Sequence, residues 1–171
     1  MHHQEVAMEK QTIPDIPATD SAGVNIMPPF FFYCCLLSGI CLDLIFPWTL
    51  RAVHYLIMLS AGAGIIAAGI FFMMWGHGRF RSLGVNVPTN LPVSRLVTDG
   101  AYQYSRNPMY VGFMSILVGL GVAIGSLWML ASALLMFLYL SIYVIPREEA
   151  YLGRRFGAEY KTYRNIVRRW L

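Results

Sequence analysis

Residues 96–112 have the sequence LVTDGAYQYSRNPMYVG, a polar, aromatic and turn-rich segment that runs into a long apolar stretch. It places Asp99 and Arg106 where hydrocarbon would begin. Ionisable residues beside membrane-spanning segments are costly and mark functional sites. A second charged group, Arg147-Glu148-Glu149, follows the next apolar stretch. Because both groups border the same pair of predicted helices, we expect them to lie close together.

The composition predicts a membrane protein. Of 171 residues, 57% are hydrophobic and only 13% are charged, against about 25% charged in soluble domains. The net charge is +4, and only Lys10 and Arg51 of the 13 Lys and Arg residues precede Arg79. Basic residues concentrated in this way are typical of one membrane face. No nucleic-acid partner is expected, and the three cysteines, which lack metal-ligand spacing, predict no metal site.

Four apolar runs predict an all-α fold, a polytopic membrane helix bundle with about four transmembrane helices. About 20 residues are needed to cross roughly 30 Å of hydrocarbon, and the predicted spans are 28–46, 52–75, 108–125 and 127–146. Residues 1–26 are polar and have no apolar period, which predicts a mobile or surface segment. Residues 27–171 are expected to form a single membrane domain.

The segments outside the spans are expected to share one side of the membrane. The loop 76–107 is basic. In 147–171, apolar residues recur every three or four positions with basic residues between them, which predicts C-terminal amphipathic helices divided at Gly157. The two other connectors carry only Arg51. By the positive-inside rule, both chain ends and the loop are predicted to be cytoplasmic.

Small residues predict where the spans contact one another, because they let helix backbones approach closely in a membrane. The stripe predicted in the second span consists of Ser60, Gly64 and Ala68. The stripe predicted in the third span consists of Gly112, Ser115, Gly119 and Ala123. Asp43, near the end of the first span, is either an interfacial residue or a partner for a neighbouring helix.

One pocket at the membrane face is predicted to combine cationic, anionic, amide and aromatic groups. Its expected members are Tyr102, Tyr104, Arg106, Asn107, Tyr110, Glu148 and Glu149. This inventory suits a zwitterionic ligand that carries an aromatic ring. Each group also has a structural interpretation: the arginines as topology anchors, the glutamates as a solvated helix start and the tyrosines as an interfacial belt. Their joint occurrence at two adjoining helix ends favours the pocket.

An ordered set of motifs carries a family resemblance. The motifs are LVTDGAY at 96–102, SRNPMYVG at 105–112, Glu148-Glu149, and FGAEY at 156–160. In this order they resemble the isoprenylcysteine carboxyl methyltransferase and phospholipid methyltransferase family of integral membrane enzymes. The resemblance covers residues 60–171.

The resemblance implies S-adenosyl-L-methionine as the cofactor and a lipophilic substrate taken from the bilayer. The cofactor-binding residues expected from the resemblance and from the pocket are Leu96, Val97, Tyr102, Tyr104, Arg106, Asn107, Pro108, Met109, Tyr110 and Glu148. The predicted catalytic residues are Arg106, Glu148 and Glu149. The sequence leaves the oligomeric state open.

Two departures from the isoprenylcysteine enzymes leave the methyl acceptor open. Asn107 stands where the family resemblance implies a histidine, and an amide does not take up a proton at neutral pH. No arginine before the paired glutamates matches the substrate-side arginine of that family, since Arg147 is in a shifted register. Carboxyl methylation of an isoprenylcysteine-like substrate is the favoured reaction, with phospholipid amine or thiol methylation as the alternatives.

Two other classes of function remain open for the sequence. A non-catalytic scaffold or lipid-binding protein would use the same charged motifs only to fix its topology. A membrane reductase is the other, since some sterol reductases resemble the C-terminal half of this family. Binding of S-adenosylmethionine distinguishes the methyltransferase from both.

Overall fold

The computed structural model describes residues 21–49, 54–84 and 93–171. Within these ranges the chain is helical and has no strand, which confirms the predicted all-α class. The helices are α1 (Pro28–Ile45), α2 (Tyr55–Ser82), α3 (Pro108–Ile124), α4 (Leu127–Leu138) and α5 (Ile145–Ile166). A 3₁₀ turn, Gly100–Gln103, precedes α3, and a π-helical segment, Tyr139–Val144, joins α4 to α5.

The four predicted spans correspond to α1, α2, α3 and the α4–π segment. Three helices are long and apolar enough to cross a membrane: α1, α2 and the continuous helix Leu127–Ile166. Helix α3 is apolar but has only 17 residues, so it extends about 26 Å. Proline begins both α1 and α3, where its missing N–H has no helical partner to lose.

Helix α2 continues past residue 76, where the extramembrane loop is predicted to begin. It has 28 residues and ends only at Ser82, which makes it about 42 Å long, more than the hydrocarbon thickness. Arg79 and Arg81 therefore lie on the last turn of a helix that projects from the membrane. Polar residues thus end the membrane span without ending the helix, and Gly84, with φ +62°, follows.

Glycines at seven-residue spacing hold α2 against α3. Gly62 and Gly69 are buried against Gly119 and Ser115, and a Cβ built at Gly119 would lie 2.7 Å from the Gly62 carbonyl oxygen. Further along, Gly76 faces Pro108, the first residue of α3. A spacing of seven is two helical turns, so these glycines share one face of α2.

The predicted stripe on α3 is confirmed, because Gly112, Gly119 and Ala123 are buried in this contact. The stripe predicted on α2 is wrong. Ser60, Gly64 and Ala68 are exposed, and a Cβ at Gly64 would meet nothing within 4 Å. Both faces of α2 contain small residues, so residue size alone did not show which face meets α3.

The α3–α4 connection is a tight hairpin, as predicted. Gly125 ends α3 with φ +68°, and the Ser126 Oγ accepts a hydrogen bond from Met129 N at 3.2 Å to cap α4. The same hydroxyl donates to Asp43 Oδ1 at 2.8 Å. Asp43 is thus a partner for a neighbouring helix end, the second of its two interpretations.

The structure describes only part of the predicted N-terminal segment, residues 1–26, and all of the predicted C-terminal segment, residues 147–171. Most of the predicted N-terminal segment, residues 1–20, lies outside the described residues. Ala22 and Val24 are buried in the core, and the Tyr139 hydroxyl donates to Ile26 O. The predicted division of the C-terminal segment is confirmed, because Gly157 has non-helical dihedrals (φ 50°, ψ −118°) inside α5.

Replacing Gly62 by alanine is predicted to destabilise the bundle by about 1–3 kcal/mol, the usual cost of overpacking a tight contact. The added methyl would overlap the Gly119 carbonyl, which belongs to a backbone that cannot move aside. Thermal unfolding in detergent measures the change. Gly64→Ala is the matched control and should unfold at the wild-type temperature or above, and equal melting temperatures for both variants would contradict the helix contact.

Candidate active site

The extramembrane segment before α3 folds over the end of the bundle and packs on α5. Leu96, Val97 and Tyr102 are buried with three residues of the C-terminal region, Tyr160, Tyr163 and Val167. The Tyr163 hydroxyl donates to the Tyr102 carbonyl oxygen at 2.8 Å. Burial raises the pKa of the Tyr102 hydroxyl, which is therefore neutral at physiological pH.

An ion pair fixes this segment to the projecting end of α2. The Arg79 Nε donates to Asp99 Oδ1 at 2.8 Å, and Arg79 Nη2 pairs with the second carboxylate oxygen. These hydrogen bonds hold the pKa of the Asp99 carboxyl below its usual range. Gly100 follows with φ +63° and begins the 3₁₀ turn that leads to Arg106. The extension of α2 beyond the membrane thus positions the site.

The paired glutamates at the start of α5 have different partners. Glu148 Oε1 accepts a hydrogen bond of 2.6 Å from the Tyr110 hydroxyl on α3. Glu149 lies beside two guanidinium groups: Arg106 Nη2 at 2.8 Å and Arg169 Nη2 at 2.7 Å. Adjacent helical residues point about 100° apart, which explains why the two side chains face different neighbours.

Arg106 is nearly enclosed and incompletely hydrogen-bonded. Its side chain is 11% exposed. Its Nη1 donates to the Arg164 carbonyl oxygen at 2.9 Å and its Nη2 donates to Glu149. Its Nε is buried and has no hydrogen-bond partner among the described residues. Because a buried unpaired donor is costly, this N–H would favour an acceptor atom placed beside it.

A cavity joins these groups. Its lining residues are Ala22, Phe80, Val93, Arg95, Leu96, Val97, Tyr102, Arg106, Asn107, Met109, Tyr110, Glu148, Glu149, Tyr151, Leu152, Tyr160 and Tyr163. Apolar and aromatic walls with a few polar groups are typical of small-molecule sites. The described ranges contain no group of three or more His, Cys, Asp or Glu side chains that could hold a metal ion.

The structure brings most of the predicted site residues to the cavity and leaves two outside its lining. Tyr104 is 60% exposed and its ring lies 5.8 Å from that of Trp75. Pro108 is buried against Gly76. Asn107 lines the cavity, but its Nδ2 donates to the Arg169 carbonyl oxygen at 2.9 Å. Its side-chain amide is therefore hydrogen-bonded to the backbone of the C-terminal region.

Several lining residues were not predicted from the sequence. Tyr160 and Tyr163 belong to the apolar face of the amphipathic segment, and Tyr160 also ends the FGAEY motif, but neither signal placed them at the site. Ala22, Val93 and Tyr151 carried no signal, because a small or apolar residue does not reveal which cavity it borders. Arg169 also binds Glu149. The sequence did not single it out, because it is one of several basic residues in the C-terminal region.

Fold and cavity together define a polytopic helical membrane protein with a polar and aromatic cavity at one end of the bundle. The chain belongs to the phospholipid methyltransferase family, whose model matches residues 57–159. The matched region contains nearly all of α2, the whole of α3 and α4, and both glutamates. It confirms the family resemblance.

Two relatives extend the comparison. The chain is 43% identical over 75 residues to a protein-S-isoprenylcysteine O-methyltransferase of Schizosaccharomyces pombe, a stretch that covers 42% of this chain and 30% of the relative. It is 35% identical over 63 residues to an uncharacterized protein of Haemophilus influenzae, which covers 37% of this chain and the whole of that relative. No solved structure matches the chain.

The two glutamates are predicted to differ in their effect on stability. Glu149→Gln leaves two guanidinium groups without their anion and should lower the free energy of unfolding by about 3 kcal/mol. Glu148→Gln keeps an acceptor oxygen for the Tyr110 hydroxyl and should change stability by less than about 1 kcal/mol. Unfolding of both variants in the same detergent compares them. Equal losses would show that the glutamates are not in the environments described.

Proposed function

We propose that the chain is an S-adenosylmethionine-dependent methyltransferase that modifies an amphiphilic substrate from the bilayer. The observation that carries the proposal is the unpaired Nε of Arg106, in a cavity that also holds Glu148 and buried tyrosines. This cavity lies largely within the region matched by the family. The positively charged hydrogen-bond donor Arg106 and the carboxylate acceptor Glu148 fit the two ends of a zwitterionic amino-acid group.

The lining residues fit the cofactor part by part. Arg106 Nε would donate to the α-carboxylate, and Glu148 would accept from the ammonium group. Leu96, Val97 and the tyrosine rings provide the apolar and aromatic surface on which an adenine ring packs. When bound, S-adenosylmethionine supplies an electrophilic methyl group. The protein contributes by orienting the two reactants and excluding water from the transfer.

Carboxyl methylation of an isoprenylcysteine-like substrate is the favoured reaction. The support is the 43% identity to a protein named as an isoprenylcysteine O-methyltransferase. A carboxylate is ionised at neutral pH and attacks without a base. This reaction therefore makes no demand on Asn107, whose amide hydrogen-bonds the chain's own backbone.

Phospholipid amine methylation is the second candidate, supported by the description of the matched family. An ammonium acceptor must lose a proton before it can attack, and in this reaction Glu148 would have to receive it in place of its role toward the ammonium group of the cofactor. Glu149 is not available, because both of its oxygens are bound by guanidinium groups. A thiol acceptor would likewise need a proton acceptor.

The active site is proposed to face the cytoplasm. The end of the bundle that carries the cavity also carries Arg79, Arg81 and Arg95, together with the basic residues of α5. The connector between α3 and α4 at the opposite end has no basic residue. The positive-inside rule assigns the basic end to the cytoplasm. A water-soluble cofactor would then enter from the cytoplasm and a lipophilic acceptor from the bilayer.

Cofactor binding tests the site. Arg106→Ala and Glu148→Gln should each weaken binding of S-adenosylmethionine by about 2–3 kcal/mol, the scale of one charge-assisted hydrogen bond. Calorimetric titration of the folded variants measures this. Arg81→Ala, an exposed arginine on the last turn of α2, is the matched control and should bind as the wild type does. Failure of the wild type to bind would leave a non-catalytic membrane protein as the better description.

Acceptor chemistry is tested by the pH dependence of methyl transfer. With an isoprenylcysteine carboxylate, the rate should be flat from about pH 6 to 9, because the acceptor is ionised throughout. With phosphatidylethanolamine, it should rise with pH as the ammonium loses its proton, and Glu148→Gln should abolish transfer at neutral pH. Radiolabelled methyl incorporation into each lipid in vesicles gives both profiles. Transfer to phosphatidylethanolamine alone would overturn the carboxyl assignment.

A further inference from the structure

The C-terminal tail, residues 167–171, is bound to the turn that carries Arg106. Helix α5 ends at Ile166, and the chain continues with extended dihedrals at Val167. Arg106 N donates to the Arg168 carbonyl oxygen at 3.0 Å, and Asn107 Nδ2 donates to the Arg169 carbonyl oxygen at 2.9 Å. The Ser105 Oγ lies 3.4 Å from the same oxygen. The three residues before α3 therefore all hydrogen-bond the tail backbone.

The Arg169 side chain adds a second attachment at the site itself. Its Nε lies 3.1 Å from Glu149 Oε1 and its Nη2 lies 2.7 Å from Oε2, a two-point contact. Arg106 uses only one donor on this carboxylate, Nη2 to Oε1 at 2.8 Å. One anion is thus shared by two cations, which leaves an excess positive charge beside the cavity.

This sharing decides what Arg106 can offer a ligand. An arginine and a carboxylate often form a two-point pair. Because Arg106 Nη1 already donates to the Arg164 carbonyl oxygen, such a pair with Glu149 would use Nη2 and Nε and would occupy the Nε. Because Arg169 holds Oε2, Glu149 cannot close that pair, and the Arg106 Nε remains without a partner among the described residues.

We propose that Arg169 is a positioning residue of the active site, which keeps the Nε of Arg106 free for the carboxylate of the cofactor. The inference rests on the proposed function. Trp170 anchors the tail to the membrane domain, since its ring lies 5.4 Å from that of Phe137 on α4. The family match ends at residue 159, so Arg169 lies beyond the matched region.

The adjacent arginine provides a matched control. Arg168 is exposed and Arg169 is partly buried, and Arg168→Ala removes the same charge one residue away. In calorimetric titrations with S-adenosylmethionine, Arg169→Ala should raise the Kd on the order of tenfold, less than Arg106→Ala does, because Arg106 itself remains in the site. Arg168→Ala should leave the Kd unchanged. Arg169→Lys keeps the charge but cannot make the two-point contact, so it should fall between wild type and Arg169→Ala.

A double variant separates positioning from simple stability. In an Arg106→Lys background, position 106 has no Nε to protect, so adding Arg169→Ala should cause no further loss of affinity. An equal loss in both backgrounds would overturn the inference, as would wild-type affinity in folded Arg169→Ala. If Arg169→Ala does not fold, Arg169→Lys carries the test, and wild-type affinity there overturns it. Absence of binding by the wild type would overturn the proposed function instead.

Discussion

The close approach of α2 and α3 is the contact on which the rest of the molecule depends. Hydrocarbon provides no hydrophobic force between helices, so their association relies on backbone-to-backbone packing. Gly62, Gly69 and Gly76 provide it along one face of α2. The last of these faces Pro108, so the same glycine series that joins the helices also fixes where α3 begins. The position of Arg106, two residues earlier, follows from that contact.

The end of the bundle must then satisfy charged groups that are largely removed from water. Arg106 and Glu149 have side chains only 11% and 10% exposed, and such a pair is costly unless its remaining donors and acceptors are bonded. The bonds come from α3, α5 and the C-terminal tail, segments that are distant in sequence. Of the side-chain donors of this pair and of Arg169, Arg106 Nε is buried without a partner among the described residues. A buried unsatisfied group of this kind calls for an explanation, and a ligand is the one proposed above.

Because the cavity lies at the membrane end of the bundle, the proposed cofactor and the proposed methyl acceptor can reach it by different routes. The projecting turns of α2 and the amphipathic face of α5 enclose the cavity above the spans, where a charged cofactor can be held away from bulk water. Enclosure strengthens the attraction between its charges and those of the protein. The first residues of α3 border the same cavity, so an acceptor that stays in the bilayer need not leave it.

The sequence by itself determined the all-α membrane class, the four apolar segments, the hairpin at Gly125 and the family. These follow from hydropathy, from proline and glycine at helix ends, and from ordered motifs, all of which are local in the chain. Most of the predicted site residues reached the cavity for the same reason: polar groups at adjoining helix ends have few other places to lie.

Only the tertiary structure decided which face of α2 meets α3, because Gly62 and Gly64 are equally small and differ only in the direction they face. It also decided that Glu149, and not Glu148, pairs with Arg106, and that Arg169 shares the pair. Adjacent glutamates are identical in sequence terms, and one basic residue of the C-terminal region looks like another. Their roles depend on rotation about a helix axis and on contacts between residues 20 and 43 positions apart, which no local pattern encodes.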